Sequence, residues 1–169
     1  MILTVITDYL LNTLLPLAIT FVFTWFIGLE RQNIGKSAGI SAHVLLGMSC
    51  CGIALLQQHI NITNNNSDNQ RLIAGAITGI GFLGAGVILK GTKSITGLTT
   101  AATLFSAAVI GLILGMQAYK LGITVGILIM GFIYIRDISR KINPFKSHRG
   151  HDYHFEDEIK DEIDHKEDK

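Results

Sequence analysis

The chain has 169 residues, 49% hydrophobic and 16% charged, with 14 Lys and Arg against 13 Asp and Glu. The near-zero balance hides an uneven layout: residues 1–135 hold three acids (Asp8, Glu30, Asp68) and six bases (Arg31, Lys36, Arg71, Lys90, Lys93, Lys120), while residues 152–169 hold nine acids and three bases. So few charges exclude an ordinary soluble domain and predict an all-α integral membrane body, residues 1–135, carrying a charged tail.

Residues 9–29 contain no charge, and 21 helical residues suffice to cross a hydrocarbon core of about 30 Å. No Lys or Arg precedes Arg31 and no small-residue cleavage site follows, so this is read as a retained first span and not a signal peptide. Pro16 should kink it and free a carbonyl that Thr13 or Thr20 could satisfy. A polar, glycine-punctuated segment, 30–43, leads to a weaker second span at 40–56. Residues 57–71 include Asn64-Asn65-Asn66-Ser67 and read as a loop.

The third span, 72–89, contains Gly79-Ile80-Gly81-Phe82-Leu83-Gly84-Ala85-Gly86. Gly79, Gly81 and Gly84 match the spacing of a dinucleotide-binding turn, but that motif needs a preceding strand and an acid about 20 residues on. No Asp or Glu occurs between Asp68 and Asp137, and the glycines lie within a lipid-length apolar run. They are read instead as helix-packing residues, since small side chains let backbones approach closely in lipid. The fourth span is 98–114 and the fifth 116–135. The short link at 90–97 makes spans three and four antiparallel neighbours, and Gly75/Gly79 and Gly111/Gly115 are expected to supply close contact. Gly122/Gly126 repeat the spacing in the fifth span.

Successive flanks carry zero, two, one, two, one and five Lys or Arg. Because positive charge stays on the cytoplasmic side, this alternation predicts five spans, N-terminus out and C-terminus in. Arg136, Arg140, Lys141, Lys146 and Arg149 form a basic collar suited to anionic lipid. The tail beyond it reads as solvated and flexible. His148, His151 and His154 recur every third residue with Asp152 nearby, so weak metal binding is conceivable there. Cys50 and Cys51 are adjacent in an apolar stretch and read as buried free thiols.

Glu30 and Arg31 stand where the first span meets the polar segment. A carboxylate at membrane depth is a functional candidate, the plain alternative being an ion pair that marks a helix end. His43 could titrate, bind a metal or only donate a hydrogen bond. Ser94, Thr96, Thr99, Thr100, Thr103 and Ser106 cluster around the fourth span, where hydroxyls commonly bond backbone or neighbouring helices. No nucleophile, base and orienting acid assemble from so few titratable groups, so an enzyme is not expected. Magnesium demands octahedral oxygen ligands, and with no acid in spans two to five the chain alone offers a poor pathway for it. No cofactor or metal is expected.

Several blocks in order resemble the MgtC/SapB family of bacterial membrane proteins: Gly28-Leu29-Glu30-Arg31; Gly35-Lys36-Ser37-Ala38-Gly39 with His43; Asp68 and Arg71; the glycine block 79–86; Gly97-Leu98-Thr99-Thr100-Ala101-Ala102; and Gly111, Gly115 and Tyr119. The resemblance implies a bacterial inner-membrane protein linked to growth at low magnesium and, in pathogens, to survival inside host cells. It implies a modulator of other membrane systems, such as the ATP synthase or ion and phosphate transport, more than a transporter; a cation transporter or channel subunit is the alternative. Carried over by position, Glu30, Arg31, Asp68 and Arg71 would be the functional polar residues, with His43 beside them. Ser41-Ala42, Gly75 and Phe105 depart from the family pattern, and activities that depend on the larger C-terminal domain of its best-known members are not expected of these residues. The partners expected are the bilayer, another integral membrane protein and, as an option, a second copy of the chain; nucleic acid is not expected.

Overall fold

A computed structural model describes residues 10–64, 71–90 and 95–142. Asp68, the histidines at 148, 151 and 154, and the tail lie outside the described residues. The protein is an all-α membrane protein. A short π-helical turn, Leu10–Leu14, leads into α1 (Leu15–Asn33), followed by α2 (Ile40–Asn64), α3 (Arg71–Val87), a two-residue antiparallel ladder of β1 (Leu89–Lys90) and β2 (Ile95–Thr96), α4 (Leu98–Gly115) and α5 (Tyr119–Ile142). The segments containing α1, α2, α4 and α5 are each long and apolar enough to cross a membrane; α3, with 17 residues, is shorter.

The helices overrun the expected bounds in an instructive way. α1 does not stop before Glu30 but continues to Asn33, because Glu30, Arg31 and Gln32 are good helix formers and the two charges satisfy each other. It ends at Gly35, whose φ of +66° supplies the left-handed residue of a Schellman cap. The Gly35 N–H donates to the Gln32 carbonyl and the Lys36 N–H to that of Arg31, both at 3.1 Å. Residues 57–64, read as loop from their polarity, are the last two turns of α2. One of their amides faces a neighbouring turn, Gln58 Nε2 donating to Gln117 Oε1 at 2.9 Å, and another, Gln57 Nε2, donates to Asn61 Oδ1 at 3.0 Å within the helix.

α2 and α4 form the central seam, and their contacts give its direction. His43 meets Thr103, Gly111 meets Gly47, and Gly115 meets Cys51 and Ala54. Residue numbers rise together along both helices, so α2 and α4 run parallel. Cβ atoms at Gly111 and Gly115 would fall on the carbonyl oxygens of Gly47 and Cys51, so only glycine permits this backbone contact. Gly111 and Gly115 therefore pack closely as expected, but against α2 and not α3. Cys50 and Cys51 are buried and unbridged beside them.

α3 is the exception to the expected packing. Ile80 is its one fully buried residue, set against Cys50, Ala54, Ala108 and Leu112. A Cβ at Gly84 would stand 3.8 Å from Ala101 Cβ, whereas Gly75, Gly79, Gly81 and Gly86 have open space where a side chain would be. The predicted contact of Gly75 and Gly79 with the fourth span is thus not made within the chain. Numbers along α3 rise (80, 84) as those of its α4 partners fall (108 and 112, then 101), so α3 is antiparallel to α4.

The second core, Ile27, Ile110, Leu114 and Ile133, joins α1, α4 and α5. α1 and α5 run parallel: Gln117 Nε2 and Tyr119 Oη donate to the carbonyls of Asn12 and Leu11, both at 3.2 Å, while at the other end Arg136 reaches Glu30. The Asn12 carbonyl is the one that Pro16, lacking an N–H, cannot serve. Gln117 supplies the donor instead, and Thr20 bonds the Pro16 carbonyl itself, at 2.7 Å. Since α2 and α4 run parallel, the chain between them must return across the bundle, and α3 makes that return. The described residues thus traverse the bundle five times. Arg31, Lys36, Lys90 and Arg136 collect at one end.

Candidate functional site

The site forms where α1 ends, α2 begins and α5 leaves the bundle. Gly28 allows the entry of α2 to press on α1, because a methyl there would stand 2.6 Å from Ile40 Cα and 3.1 Å from the Gly39 carbonyl oxygen. Gln32 Oε1, 3.4 Å from the Ile40 N–H, accepts from the start of α2. The short link between the helices therefore holds His43, one turn into α2, next to the last turn of α1.

Glu30 is 3% and Arg31 1% exposed. Arg31 grips the carboxylate with one edge of its guanidinium, Nε to Oε2 at 2.5 Å and Nη2 to Oε1 at 2.7 Å. Arg136, from α5, donates Nη2 to the same Oε1 at 3.0 Å. Each buried charge would carry a heavy desolvation cost alone, and the shared hydrogen bonds offset much of it. Removing the carboxylate would leave two guanidiniums facing each other.

His43 is fully buried, one turn beyond the Gly39–Ile40 backbone that Gly28 of α1 packs against. The Gly39 carbonyl, 2.8 Å from Nδ1, can only accept, so Nδ1 carries a proton. Nε2 lies 3.1 Å from the Thr103 hydroxyl, which stands 3.0 Å from the Thr100 carbonyl. His43 thus bridges α2 to α4, and one of the fourth span's many hydroxyls acquires a specific partner.

Three of the sequence-predicted site residues, Glu30, Arg31 and His43, come together. Arg71 does not join them; it opens α3, after the far end of α2, and is exposed. Arg136 belongs to the site but was read only as the first charge of a lipid-facing collar. The one sequence signal for it is that it ends an apolar run, as Arg31 nearly does. Among the described residues no group of three or more His, Cys, Asp or Glu is placed to hold a metal.

An apolar bundle of five passes enclosing a buried Arg-Glu-Arg triad at one end defines a polytopic membrane protein with a built polar centre. A model of the MgtC family matches residues 17–141, and the chain belongs to that family. It is 40% identical over 102 residues to the putative magnesium transporter YhiD of Escherichia coli K12, a match covering 57% of this chain and 47% of that one. It is 32% identical over 136 residues to protein MgtC of Salmonella typhimurium, covering 80% of this chain and 55% of that one. An uncharacterized protein of Synechocystis is 34% identical over 133 residues, covering 78% and 56%. The chain spans about half the length of the curated relatives it matches. No solved structure matches.

Proposed function

We propose that the protein is a membrane regulator that acts by binding another integral membrane protein, in adaptation to low magnesium and, in a pathogen, to life inside host cells. The observation that carries this reading is the α3 surface. Gly75, Gly79, Gly81 and Gly86 face open space on a helix whose Phe82 and Leu83 are exposed, while the glycines of α4 are already spent on α2. Small residues without a packing partner suit a second helix at close range. Systems such as the ATP synthase or ion and phosphate transporters are the class of partner proposed. The basic end of the bundle, with Arg31, Lys36, Lys90 and Arg136, would lie on the cytoplasmic side of the inner membrane.

The second reading is a cation transporter or channel subunit. It is favoured by a buried carboxylate in the bundle and by the printed name of the Escherichia coli relative. Two measurements separate the readings. A tagged chain captured from its native membrane in mild detergent should recover one integral protein, which Gly79→Leu should lose while inserting normally. Reconstituted into sealed vesicles, the chain should conduct no cation. Magnesium flux abolished by Glu30→Gln would establish transport instead.

A further inference from the structure

Glu30 is the only acidic side chain among those described, and two guanidiniums lean on it. The triad therefore carries one positive charge in excess. Glu30 and Arg31 are closed off from solvent, and Arg136 is 21% exposed, so the excess charge has one route outward, along Arg136.

The hydrogen bonding of the two arginines is unequal. An arginine offers Nε and one Nη as a parallel pair matched to two oxygens. Arg31 places both on Glu30, whereas Arg136 places only Nη2 there, and its Nε is buried with no acceptor. A buried donor without a partner costs about 1–3 kcal/mol, and more when the group is charged. An oxygen of a bound anion would satisfy Nε and neutralise the surplus charge together. The position fits such a ligand, because Arg136 directly follows the apolar run 121–135 and opens the basic stretch 136–149, the part of a span at which headgroup phosphates are expected. Exposed Lys36, whose backbone N–H donates to the Arg31 carbonyl, adds positive potential at the same end.

We propose that Arg136 binds one phosphate-type oxyanion, its Nε–H donating to an anion oxygen while its Nη2–H holds Glu30. The anion is either the headgroup of an anionic lipid or free phosphate. The site is independent of whether the chain regulates a partner or carries an ion.

The test uses the full-length protein in neutral detergent, with native mass spectrometry and thermal unfolding as readouts. The probes are phosphatidylglycerol, phosphatidylcholine and inorganic phosphate. Saturable retention of one phosphatidylglycerol per chain, without a response to phosphate, identifies a lipid site; a saturable response to phosphate as well identifies a free-oxyanion site. Arg136→Gln should weaken binding roughly tenfold, the value of one charge-assisted hydrogen bond. Arg136→Lys keeps the charge but lacks Nε–H, and should also weaken binding; it carries the test should the glutamine variant fail to fold. Neutralising Arg140 and Lys141 should leave the single saturable site intact. The proposal is overturned if the wild type binds neither probe saturably, if phosphatidylcholine binds equally well, if Arg136→Lys binds as the wild type does, or if the collar variant abolishes the site.

Discussion

α3 and α4 carry the same sequence device, glycines four residues apart, and use it in opposite ways. On α4 the device is consumed: Gly111 and Gly115 bring the backbone of α2 within reach. On α3 it is left open, and the helix is held to the bundle by Ile80, with Ile73 and Ala76 packed beside it. Glycine spacing therefore reports a face prepared for close approach without naming the helix that will approach it. In a membrane this distinction matters, because lipid covers an unpaired face at little cost and removes the pressure to bury it within the chain.

Substitutions should separate the closed part of the bundle from the open one, and the largest effect is expected at the triad. Glu30→Gln strands two guanidiniums and should cost about 3–5 kcal/mol, read by denaturant titration in detergent; a loss under 1 kcal/mol would mean that solvent reaches the centre. Gly111→Ala should come next, at about 1–3 kcal/mol for forcing α2 and α4 apart. The same measurement on Gly79→Ala should show no loss and a gain of up to about 1 kcal/mol from helix propensity. Equal destabilisation at both positions would erase the contrast between the helices. The smallest effect concerns the start of α1. Gln117→Ala should cost about 1 kcal/mol in the wild-type background and less in Pro16→Ala, where residue 16 regains an N–H for Asn12. A double-mutant cycle with no coupling would show that Gln117 is not repairing the proline.

Much of this was legible in the sequence, for physical reasons that also explain what was not. Five apolar passes follow from run lengths and charge counts. Glu30 and Arg31 stand out because charges are so scarce around them. Arg136 was missed because its partner lies 106 positions away, and local patterning cannot distinguish an arginine reaching for phosphate from one turned inward. The packing roles of Gly28, which stands out only as part of a family block, and of Gly47 are not legible because neither pairs with another glycine four residues on. Their neighbours are the entry of α2 for Gly28, and Thr24 with the Ala107 carbonyl for Gly47. The end of α2 was misread because Gln57, Gln58 and Asn61 look like loop residues until another amide is found to face them.

The parallel pairing of α1 and α5 has a consequence for synthesis. Near its start α1 takes hydrogen bonds from Gln117 and Tyr119, and at its end Glu30 takes one from Arg136. All three donors are translated about a hundred residues after the groups they serve. Among the described helices, α1 therefore depends on α5 and the turn before it, made after α1, for these partners. Until α5 is made, polar groups at both ends of α1 lack these partners, so the α1–α5 pairing is completed late in synthesis.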